Sequence, residues 1–524
     1  MRNALAAAAF AAAAAVVISG CTGTSSPQAG AQPPAAAVSP GAGPGPGRQP
    51  AGPGPRVHWH SCPGPVTRLR CARLQVPLDY RHPGGRKITL ALDEVPATAP
   101  SGRQGALIVN PGGPGGSGLS LASSVAAGLE RPVAAQYDII GFDPRGVGSS
   151  TPALHCDPSF FAGVRPDYVP ATKAAERAMI ARARAYAGDC ERKYGSLLKY
   201  LTTVDTARDI DSIRAALGQR QISYFAYSYG TYIGQVYATL FPGRVRRMVL
   251  DSTVNPDGIW YPDNIAQDYA FQGRQDAFFS WAAARNATFG LGTTHAQVQA
   301  AWYKARARLA AHPVSGLDGP LIGPDEFDDT FLTGGYTSSF WPTLGSALAN
   351  YLHGGSTGEL VSAYNEGGKQ NENEFAVYNA VECSDVSWPR NWAKWDADTR
   401  KVYSTAPFEA WDNTWFNAAC AFWPVRGPAK PLQIRGQGLP GILMIQGTLD
   451  PATPYAGAQQ AHKALPSARM VVVQGGGNHG QSLSSPPNSC VDGYLNRYLA
   501  TGALPRKPGL VNATCAALPA PAAG

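Results

Sequence analysis

Residues 222–231 have the sequence Ile-Ser-Tyr-Phe-Ala-Tyr-Ser-Tyr-Gly-Thr. The first six are mostly apolar or aromatic and predict a strand that is buried on both faces. Ser228 follows at once, and a helical pattern continues from it to Leu240. A serine at a sharp turn between a strand and a helix is exposed above its sheet, where it can act as a nucleophile. The usual pattern is Gly-x-Ser-x-Gly, and Ala226 is small enough to replace the first glycine.

Other short apolar runs predict further strands of the same sheet, at 87–92, 106–109, 137–142, 248–250, 442–445 and 470–473. Continuous apolar strands are typical of a parallel sheet covered by helices on both faces. An apolar stripe from Val204 to Leu217 predicts one such helix, with Thr203 as its N-cap and Gly218 at its end. We therefore predict an α/β protein and, with the serine turn, the α/β-hydrolase fold with a mostly parallel central sheet.

The block from 256 to 425 interrupts the alternation of strands and helices. It is rich in Trp, Tyr and Phe, has helical stretches such as 296–311, and has few strand signals. We interpret it as an inserted, mainly helical cap over the end of the sheet. The predicted division is therefore a first core part, the cap, a second core part and a tail, at 57–255, 256–425, 426–516 and 517–524.

A nucleophilic serine needs a base, and the base needs an acid to orient it. In this fold both follow the serine along the chain, the acid first, at the ends of late strands. Asp450 lies just past the apolar run 442–446, and His479 follows the glycines of 475–477 after the next run. We predict Asp450 as the acid and His479 as the base. Asp251 stays an alternative acid because it also follows a strand.

A glycine-rich loop at 109–118 follows another predicted strand. Glycines allow backbone N–H groups to come close to a substrate, as stabilisation of an oxyanion requires. We expect one donor from Gly113, with Gly112 as the alternative, and a second from the Tyr229 N–H.

The same loop supports a rival interpretation. Gly113, Gly115 and Gly118 match Gly-x-Gly-x-x-Gly after a strand, and Asp138 lies 20 residues beyond Gly118. On paper this is a dinucleotide-binding fingerprint. Asp138 stands at the start of its predicted strand, whereas an acid that binds the ribose should stand at the end. The dinucleotide interpretation also leaves Ser228, Asp450 and His479 unexplained, so we expect no cofactor.

The N-terminus has the features of an export signal. Arg2 is followed by an Ala-rich apolar stretch that ends in Ile18-Ser-Gly-Cys21, which resembles a bacterial lipobox. We predict a signal peptide at 1–20 and lipidation of Cys21; the alternative is an ordinary cleaved signal. The segment 21–56 is almost wholly Gly, Pro, Ala, Ser, Thr and Gln and predicts a flexible tether that reaches roughly 30–35 Å.

The chain has nine cysteines, and removing Cys21 leaves an even number. In an exported chain this indicates disulfides. Nearest-neighbour pairing is the simplest hypothesis: Cys62–Cys71, Cys156–Cys190, Cys383–Cys420 and Cys490–Cys515. A zinc site is the alternative, but no Cys-x-x-Cys pair or Cys/His cluster supports it, and we expect no metal.

The net charge of +8 comes from scattered basic residues, without a run that would form a nucleic-acid surface. We therefore expect no nucleic-acid partner, and membrane attachment through the N-terminal lipid alone. The expected location is outside the cytoplasm, anchored to the cell membrane, or secreted if the chain is released.

Several motifs together resemble the secreted tripeptidyl aminopeptidases of actinomycetes, a branch of the proline iminopeptidase-like serine peptidases. They are Asn110–Gly118, Asp138–Ser150, Ser228–Thr231, Cys383–Asp385, Cys420 with Trp423-Pro424, and Gly447–Pro454. The resemblance implies release of short peptides, typically tripeptides, from free N-termini. It also implies a triad of Ser228, Asp450 and His479, a helical cap and no metal. Some members are described as carboxylesterases or proteases, so an esterase or an endopeptidase is the alternative.

An aminopeptidase needs an anion for the ammonium group of its substrate, because a buried unpaired charge is costly. In related enzymes, acidic residues in or near the cap supply it. The candidates are Glu372, Glu374, Glu382 and Asp385. We favour Glu382 and Asp385 because they flank Cys383, whose predicted disulfide would constrain their backbone. A catalytically inactive binding protein on the same scaffold is the rival from another class.

Overall fold

The computed structural model describes residues 56–63, 68–316 and 319–523. Within these ranges the strands are β1 His60–Ser61, β2 Arg70–Pro77, β3 Lys87–Val95, β4 Gly105–Asn110, β5 Tyr137–Phe142, β6 Ile222–Tyr227, β7 Val245–Asp251, β8 Val314–Gly316, β9 Gly319–Ile322, β10 Ile442–Gly447, β11 Ala468–Gln474 and β12 Ala513–Ala516.

The helices in the first half are α1 Leu121–Gly128, α2 Arg131–Ala134, α3 Lys173–Leu198, α4 Thr203–Ala216, α5 Tyr229–Leu240 and α6 Tyr261–Ala283. Those that follow are α7 Asn286–Phe289, α8 His295–Ala311, α9 Pro324–Tyr336, α10 Trp341–His353, α11 Gly358–Ala363, α12 Glu372–Asp385, α13 Trp392–Tyr403, α14 Ala410–Asn417, α15 Tyr455–Ala464 and α16 Ser489–Thr501.

Ten of the strands form one sheet in the order β1-β2-β3-β5-β4-β6-β7-β10-β11-β12. The pairs up to β3–β5 are antiparallel, and every pair from β5 to β12 is parallel. The predicted α/β-hydrolase fold, with its mostly parallel sheet, is confirmed. All seven apolar runs that predicted strands lie in this sheet.

Burial on both faces explains why the strand sequences are continuously apolar. In β6 every residue is buried, and successive side chains point to opposite faces. Ile222 and Tyr224 belong to one core cluster, which includes residues of α4, α5 and α15. Phe225 and Tyr227 belong to the other, with residues of α1 and α16. The sheet therefore has helices on both sides, and β6 ends under the cap.

The cap lies between β7 and β10 and holds helices α6 to α14 and the β8–β9 hairpin. Much of it has a core of its own, built around aromatic residues such as Phe278, Trp302, Phe331 and Trp341. The helix α3 contributes to both parts: Tyr186, Cys190 and Leu198 pack in the core of the sheet, whereas Met179 and Ala183 pack with Trp411 and Trp415 of the cap. The cap region thus receives chain from two places in the sequence.

One smaller expectation, the capping residue of α4, needs correction. The N-cap of α4 is Thr202, whose hydroxyl accepts from the Asp205 N–H at 3.1 Å, whereas Thr203 is the first helical residue. In the C-terminal tail, the Pro521 carbonyl accepts hydrogen bonds from Trp281 and Arg285 of the cap, each at 2.9 Å. Gly218, with φ of +68°, follows α4 as predicted.

The structure forms the four disulfides that nearest-neighbour pairing predicted: Cys62–Cys71, Cys156–Cys190, Cys383–Cys420 and Cys490–Cys515. Four disulfides are typical of a protein in an oxidising compartment outside the cytoplasm. The predicted signal peptide, Cys21 and almost all of the tether lie outside the described residues. Within the described ranges, no helix combines the length and apolar character that crossing a membrane requires.

Candidate active site

Ser228 lies on the turn between β6 and α5 with φ of +56° and ψ of −135°. Such a backbone is uncommon for a residue other than glycine and is concentrated at functional sites. Its N–H donates to the Asp251 carbonyl at 3.1 Å, and its carbonyl accepts from the Thr231 N–H at 2.8 Å. A Cβ on Gly230 would lie 2.9 Å from the Ala226 Cβ, so small residues are required on both sides of the serine.

His479 and Asp450 form a hydrogen-bonded pair. Nδ1 of the imidazole lies 3.0 and 3.1 Å from the two carboxylate oxygens. Asp450 is fixed in turn by the N–H groups of Ala452 and Thr453, each at 3.1 Å. Burial opposes a charged imidazolium, but the Asp450 charge and hydrogen bond outweigh it and raise the pKa of His479. This is the environment of a general base oriented by an acid.

The hydrogen bond between histidine and serine is not formed in this structure. His479 Nε2 is buried and has no hydrogen-bond partner among the described residues. The backbones around the two residues are nevertheless tied together, because the Gly480 N–H donates to Ser252 Oγ at 2.8 Å and the Ser228 N–H donates to the adjacent Asp251 carbonyl. Such bonds are often long before substrate binds, so the geometry is compatible with a triad.

Asp251, the alternative acid, has a different position. Its carboxylate accepts from the N–H groups of Gln481 at 3.0 Å and Ser482 at 2.8 Å, and the Ser482 hydroxyl also donates to it. Burial raises its pKa to about 6. Asp251 therefore supports the loop that follows His479, and the geometry favours Asp450 as the acid.

The glycine-rich loop lies directly against the nucleophile. A Cβ on Gly112 would come within 2.7 Å of the Ser228 Cβ. The Gly112 N–H donates to Asn110 Oδ1 at 3.0 Å, whereas no described residue accepts from Gly113. Tyr229 opens α5, where a first-turn N–H has no partner inside the helix. The arrangement is compatible with Gly113 and Tyr229 as donors for an oxyanion, whereas the Gly112 N–H is already engaged by Asn110.

The structure contradicts the dinucleotide interpretation of this loop. A Cβ on Gly118 would lie 2.1 Å from the Phe142 carbonyl, and one on Gly115 would lie 2.5 Å from the Glu374 carbonyl. These glycines therefore allow close packing of the protein's own backbone. Asp138 accepts from the Ala97 N–H at 2.9 Å, at the start of β5.

Two of the four candidate amine-binding acids have structural partners. Glu372 accepts from the Asp157 N–H at 3.0 Å and from the Tyr186 hydroxyl at 2.9 Å. Asp385 accepts from both the N–H and the hydroxyl of Thr203, at the N-terminus of α4. Its charge is already paired with the positive end of a helix, so our expectation that Asp385 binds an amine is corrected.

The other two candidates remain available. Glu382 is buried and accepts a long hydrogen bond of 3.4 Å from Asn264 and another from the Tyr378 hydroxyl, but it has no cationic partner among the described residues. Glu374 is half-buried, its backbone lies against Gly115, and burial alone raises the pKa of its carboxyl, without an opposing cation. Glu374 therefore has a carboxyl without a hydrogen-bond partner among the described residues, on a residue whose backbone borders the glycine-rich loop.

A further carboxyl, Glu409, was not predicted from the sequence. Glu409, which directly precedes α14, is buried, and its Oε2 has no hydrogen-bond partner among the described residues. Burial and then the nearby charges of Asp268 and Asp412 raise its pKa well above the usual range. The pair Glu409 and Asp412, spaced three apart in an aromatic stretch, was a signal for an inward-facing acidic edge. We call Glu374, Glu382 and Glu409 the acidic wall.

Tyr336 relates the acidic wall to the catalytic pair. Its ring lies 5.6 Å from the His479 ring, and its carbonyl accepts from the His479 N–H at 2.7 Å. Although 40% of the residue is exposed, desolvation of its hydroxyl and then the charges of Glu409, Glu374 and Asp450 raise the pKa of that hydroxyl. Tyr336 therefore contacts the His479 ring and lies within electrostatic range of two residues of the wall.

Comparison with known proteins agrees with this geometry. One family model, described as the alpha/beta hydrolase fold, matches residues 105–349, and another, described as TAP-like protein, matches residues 406–515. The tripeptidyl aminopeptidase of Streptomyces lividans is 42% identical over 465 residues, which are 85% of this chain and 84% of that protein. The chain belongs to the tripeptidyl aminopeptidase family.

This membership confirms the resemblance predicted from the sequence motifs and makes the chain a serine hydrolase. Other relatives show the range of the family. Serine protease Hip1 of Mycobacterium tuberculosis is 31% identical and covers 86% of this chain and 90% of its own length. Carboxylesterase B of the same organism is 33% identical and covers 86% and 89%.

Proposed function

We propose that this chain is an exported serine exopeptidase that releases short peptides, most often tripeptides, from free N-termini. The observation that carries the proposal is the acidic wall, a set of cap carboxyls that have no cationic partner among the described residues, two of which act on Tyr336 beside the His479 ring. An esterase would have no need for it, whereas an aminopeptidase must pair the ammonium group of its substrate.

The proposed mechanism is acyl transfer through the triad. Ser228 Oγ attacks the peptide carbonyl while His479 Nε2 takes its proton, and Asp450 stabilises the imidazolium. The N–H groups of Gly113 and Tyr229 stabilise the oxyanion. His479 then gives the proton to the leaving amine, and water hydrolyses the acyl-enzyme by the same sequence of steps.

Specificity for the N-terminus would depend on the distance between the acidic wall and Ser228. An extended peptide spans about 3.3–3.6 Å per residue, so a carboxyl near 10 Å from Ser228 would select three residues. An ammonium group that pairs with Glu374, Glu382 or Glu409 would favour the ionised form of that carboxyl, which burial disfavours in its absence.

The test compares free and N-acetylated peptides. N-acetylation should lower kcat/KM by roughly 10²-fold or more, because it removes the charge that the wall pairs. Among Glu374→Gln, Glu382→Gln and Glu409→Gln, at least one should abolish most of that preference while activity on a small activated ester persists. Glu359→Gln, at an exposed position of the cap, is the matched control. Equal cleavage of both peptides would contradict the proposal.

The triad has its own test. Ser228→Ala and His479→Ala should each lower kcat by several orders of magnitude without loss of folding, and a fluorophosphonate should label Ser228 in the wild type. Asp450→Asn should be nearly as damaging, because it misorients the imidazole. A mild Asp450→Asn beside a crippling Asp251→Asn would transfer the acid role to Asp251.

A second candidate function is a carboxylesterase, which the similarity to Carboxylesterase B favours. The same triad and oxyanion donors would serve it. Hydrolysis of acyl esters far faster than of any free tripeptide derivative would support the esterase.

We also propose that the enzyme is lipidated at Cys21 and held at the cell membrane by the tether. The support is the Ile18-Ser-Gly-Cys21 sequence and the low-complexity segment that follows. Activity should then appear in the membrane fraction, and Cys21→Ser should release the enzyme or block its processing. A wholly soluble wild type with a mature N-terminus elsewhere would contradict lipidation.

A further inference from the structure

The first strands of the described chain carry a large share of its positive charge. Residues 56–87 contain seven lysine or arginine residues and one acidic residue, so they supply six of the eight net charges of the whole chain. These basic residues are spaced along the segment, and only Arg86 and Lys87 are adjacent. The sequence therefore shows no basic run, and the fold decides whether the charges share a surface.

Most of these charges are exposed and unpaired. Arg70 forms an ion pair with the buried Glu94 at 2.5 Å, and Arg81 forms one with Asp79 at 3.2 Å. The other five basic residues are exposed and have no carboxylate partner among the described residues, and we call them the basic edge: Arg56, Arg68, Arg73, Arg86 and Lys87.

The basic edge follows the border of the ten-stranded sheet, where β1 is the outermost strand and β2 is its neighbour. Alternate residues of β2 point into the core, so the exposed Arg73 points away from it. Arg68 lies two residues before β2, and Lys87 lies opposite Pro77, the last residue of β2. The unpaired charges are therefore spread along the whole of β2, over about 25 Å.

The predicted tether joins the protein at the same border. The described chain begins with Arg56, and the Val57 N–H donates to the Ala216 carbonyl at 3.3 Å before the chain enters β1. A lipid on Cys21 would therefore hold this border within the reach of the tether, roughly 30–35 Å from the membrane. Strand β6, which leads to Ser228, lies four strands beyond β2, about 19 Å away in the sheet, so the nucleophile is well away from the basic edge.

We propose that the basic edge is a docking surface for the anionic phospholipids of the membrane to which Cys21 is attached. Exposed lysine and arginine side chains are attracted to an anionic membrane surface. A flexible tether limits only the distance between the enzyme and the membrane, whereas a second contact at the basic edge would also fix its orientation. The proposal differs from the expectation of attachment through the lipid alone, and it uses the proposed lipidation only to place the membrane.

Protection of the sheet border is another use of charged side chains, because charges prevent pairing with the edge of another sheet. Either sign of charge would serve that purpose. In residues 56–87, however, the one acid, Asp79, is paired, and every charge without a partner among the described residues is positive. The uniform sign favours an anionic partner.

The experiment measures binding of the unlipidated protein to vesicles. Residues 21–524 are produced without the signal peptide and with Cys21→Ser, so that no lipid contributes. This protein should bind vesicles of phosphatidylcholine with about one third phosphatidylglycerol at least about tenfold more tightly than vesicles of pure phosphatidylcholine at low salt. Sodium chloride at about 0.5 M should abolish the difference, because it screens the attraction. Equal binding to both kinds of vesicle at low salt would overturn the proposal.

Two variants of this protein separate the basic edge from net charge. The edge variant combines Arg68→Gln, Arg73→Gln, Arg86→Gln and Lys87→Gln. The control variant removes the same number of charges at exposed positions elsewhere, with Arg177→Gln, Lys304→Gln, Lys430→Gln and Arg497→Gln. The edge variant should bind the phosphatidylglycerol vesicles about tenfold or more weakly than its parent, whereas the control should stay within about twofold. Equal losses in both variants, or no loss in the edge variant, would overturn the proposal.

Folding of each variant is checked by its melting temperature and by hydrolysis of a small activated ester, which should both match the parent. If the edge variant does not fold, the double variant Arg86→Gln with Lys87→Gln replaces it. That variant should weaken binding by about threefold or more, and unchanged binding would overturn the proposal. Neither a lipid on Cys21 nor a peptide substrate enters the measurement, so its outcome is independent of the proposed lipidation and of the proposed exopeptidase activity.

Discussion

At the scale of single residues, His479 sets how activity depends on pH. Its pKa lies above the ordinary histidine value because of Asp450, and only the neutral imidazole can accept the serine proton. We expect kcat/KM to rise with pH through an acidic limb above about 6.5. The pH profile of wild-type hydrolysis measures this. A limb at or below the ordinary value would mean that the free enzyme lacks the Asp450–His479 hydrogen bond.

Gly112 is a second residue for which the structure predicts a specific effect of substitution. Its φ is +102°, and a methyl group there would meet the Ser228 Cβ at 2.7 Å. Gly112→Ala should therefore lower kcat by about 10²-fold or more, because it displaces both the nucleophile and the oxyanion loop. Gly102→Ala is the matched control, since Gly102 also has a positive φ, of +73°, but open space around it. Similar losses in both variants would show that backbone strain alone is responsible.

At the scale of elements, Asp385 joins the end of α12 to the start of α4. Asp385→Ala should lower the free energy of unfolding by about 1–2 kcal/mol, as loss of a helix N-terminal partner does, and Asp385→Asn should lower it less. Denaturant unfolding measures the change. The ratio of kcat/KM for free and acetylated peptides should stay at the wild-type value. A changed ratio would return Asp385 to the candidates for amine binding.

At the scale of the whole molecule, buried acids of the cap make stability depend on pH. Burial raises the pKa of Asp263 to about 7, Asp268 to about 8, Asp328 to about 7 and Asp385 to about 7. Because these values exceed those of the unfolded chain, the folded protein binds more protons between about pH 4 and 8. Its stability should therefore be greatest below this window and should fall as pH rises through it.

Calorimetry at pH 5 and pH 8 tests this expectation, with a higher melting temperature anticipated at pH 5. Asp268→Asn should reduce the difference, because it removes one of the titrating groups. A melting temperature that rises with pH would mean that carboxylates with lowered pKa, such as Asp79, dominate the balance.

The sequence by itself determined the sheet, the turn at Ser228 and the order of the catalytic residues. Those features are local, because a doubly buried strand must be apolar along its length, and a nucleophile turn needs small residues at fixed spacing. The prediction of Gly113 and Tyr229 as oxyanion donors likewise rests on local sequence, since backbone donors depend on the loop and the helix start and not on distant side chains.

Only the tertiary structure decided which groups surround the acidic residues of the cap and the buried Arg274. The sequence alone does not show that the acidic residues Asp385 and Glu409 have different surroundings. Asp385 accepts a hydrogen bond from Thr203, which is 182 positions away, whereas Glu409 Oε2 has no hydrogen-bond partner among the described residues. Arg274 likewise packs against Gly477, which follows it by about two hundred residues. The pKa of a buried ionisable group depends on burial, nearby charges and hydrogen bonds, and contacts between residues far apart in sequence determine all three.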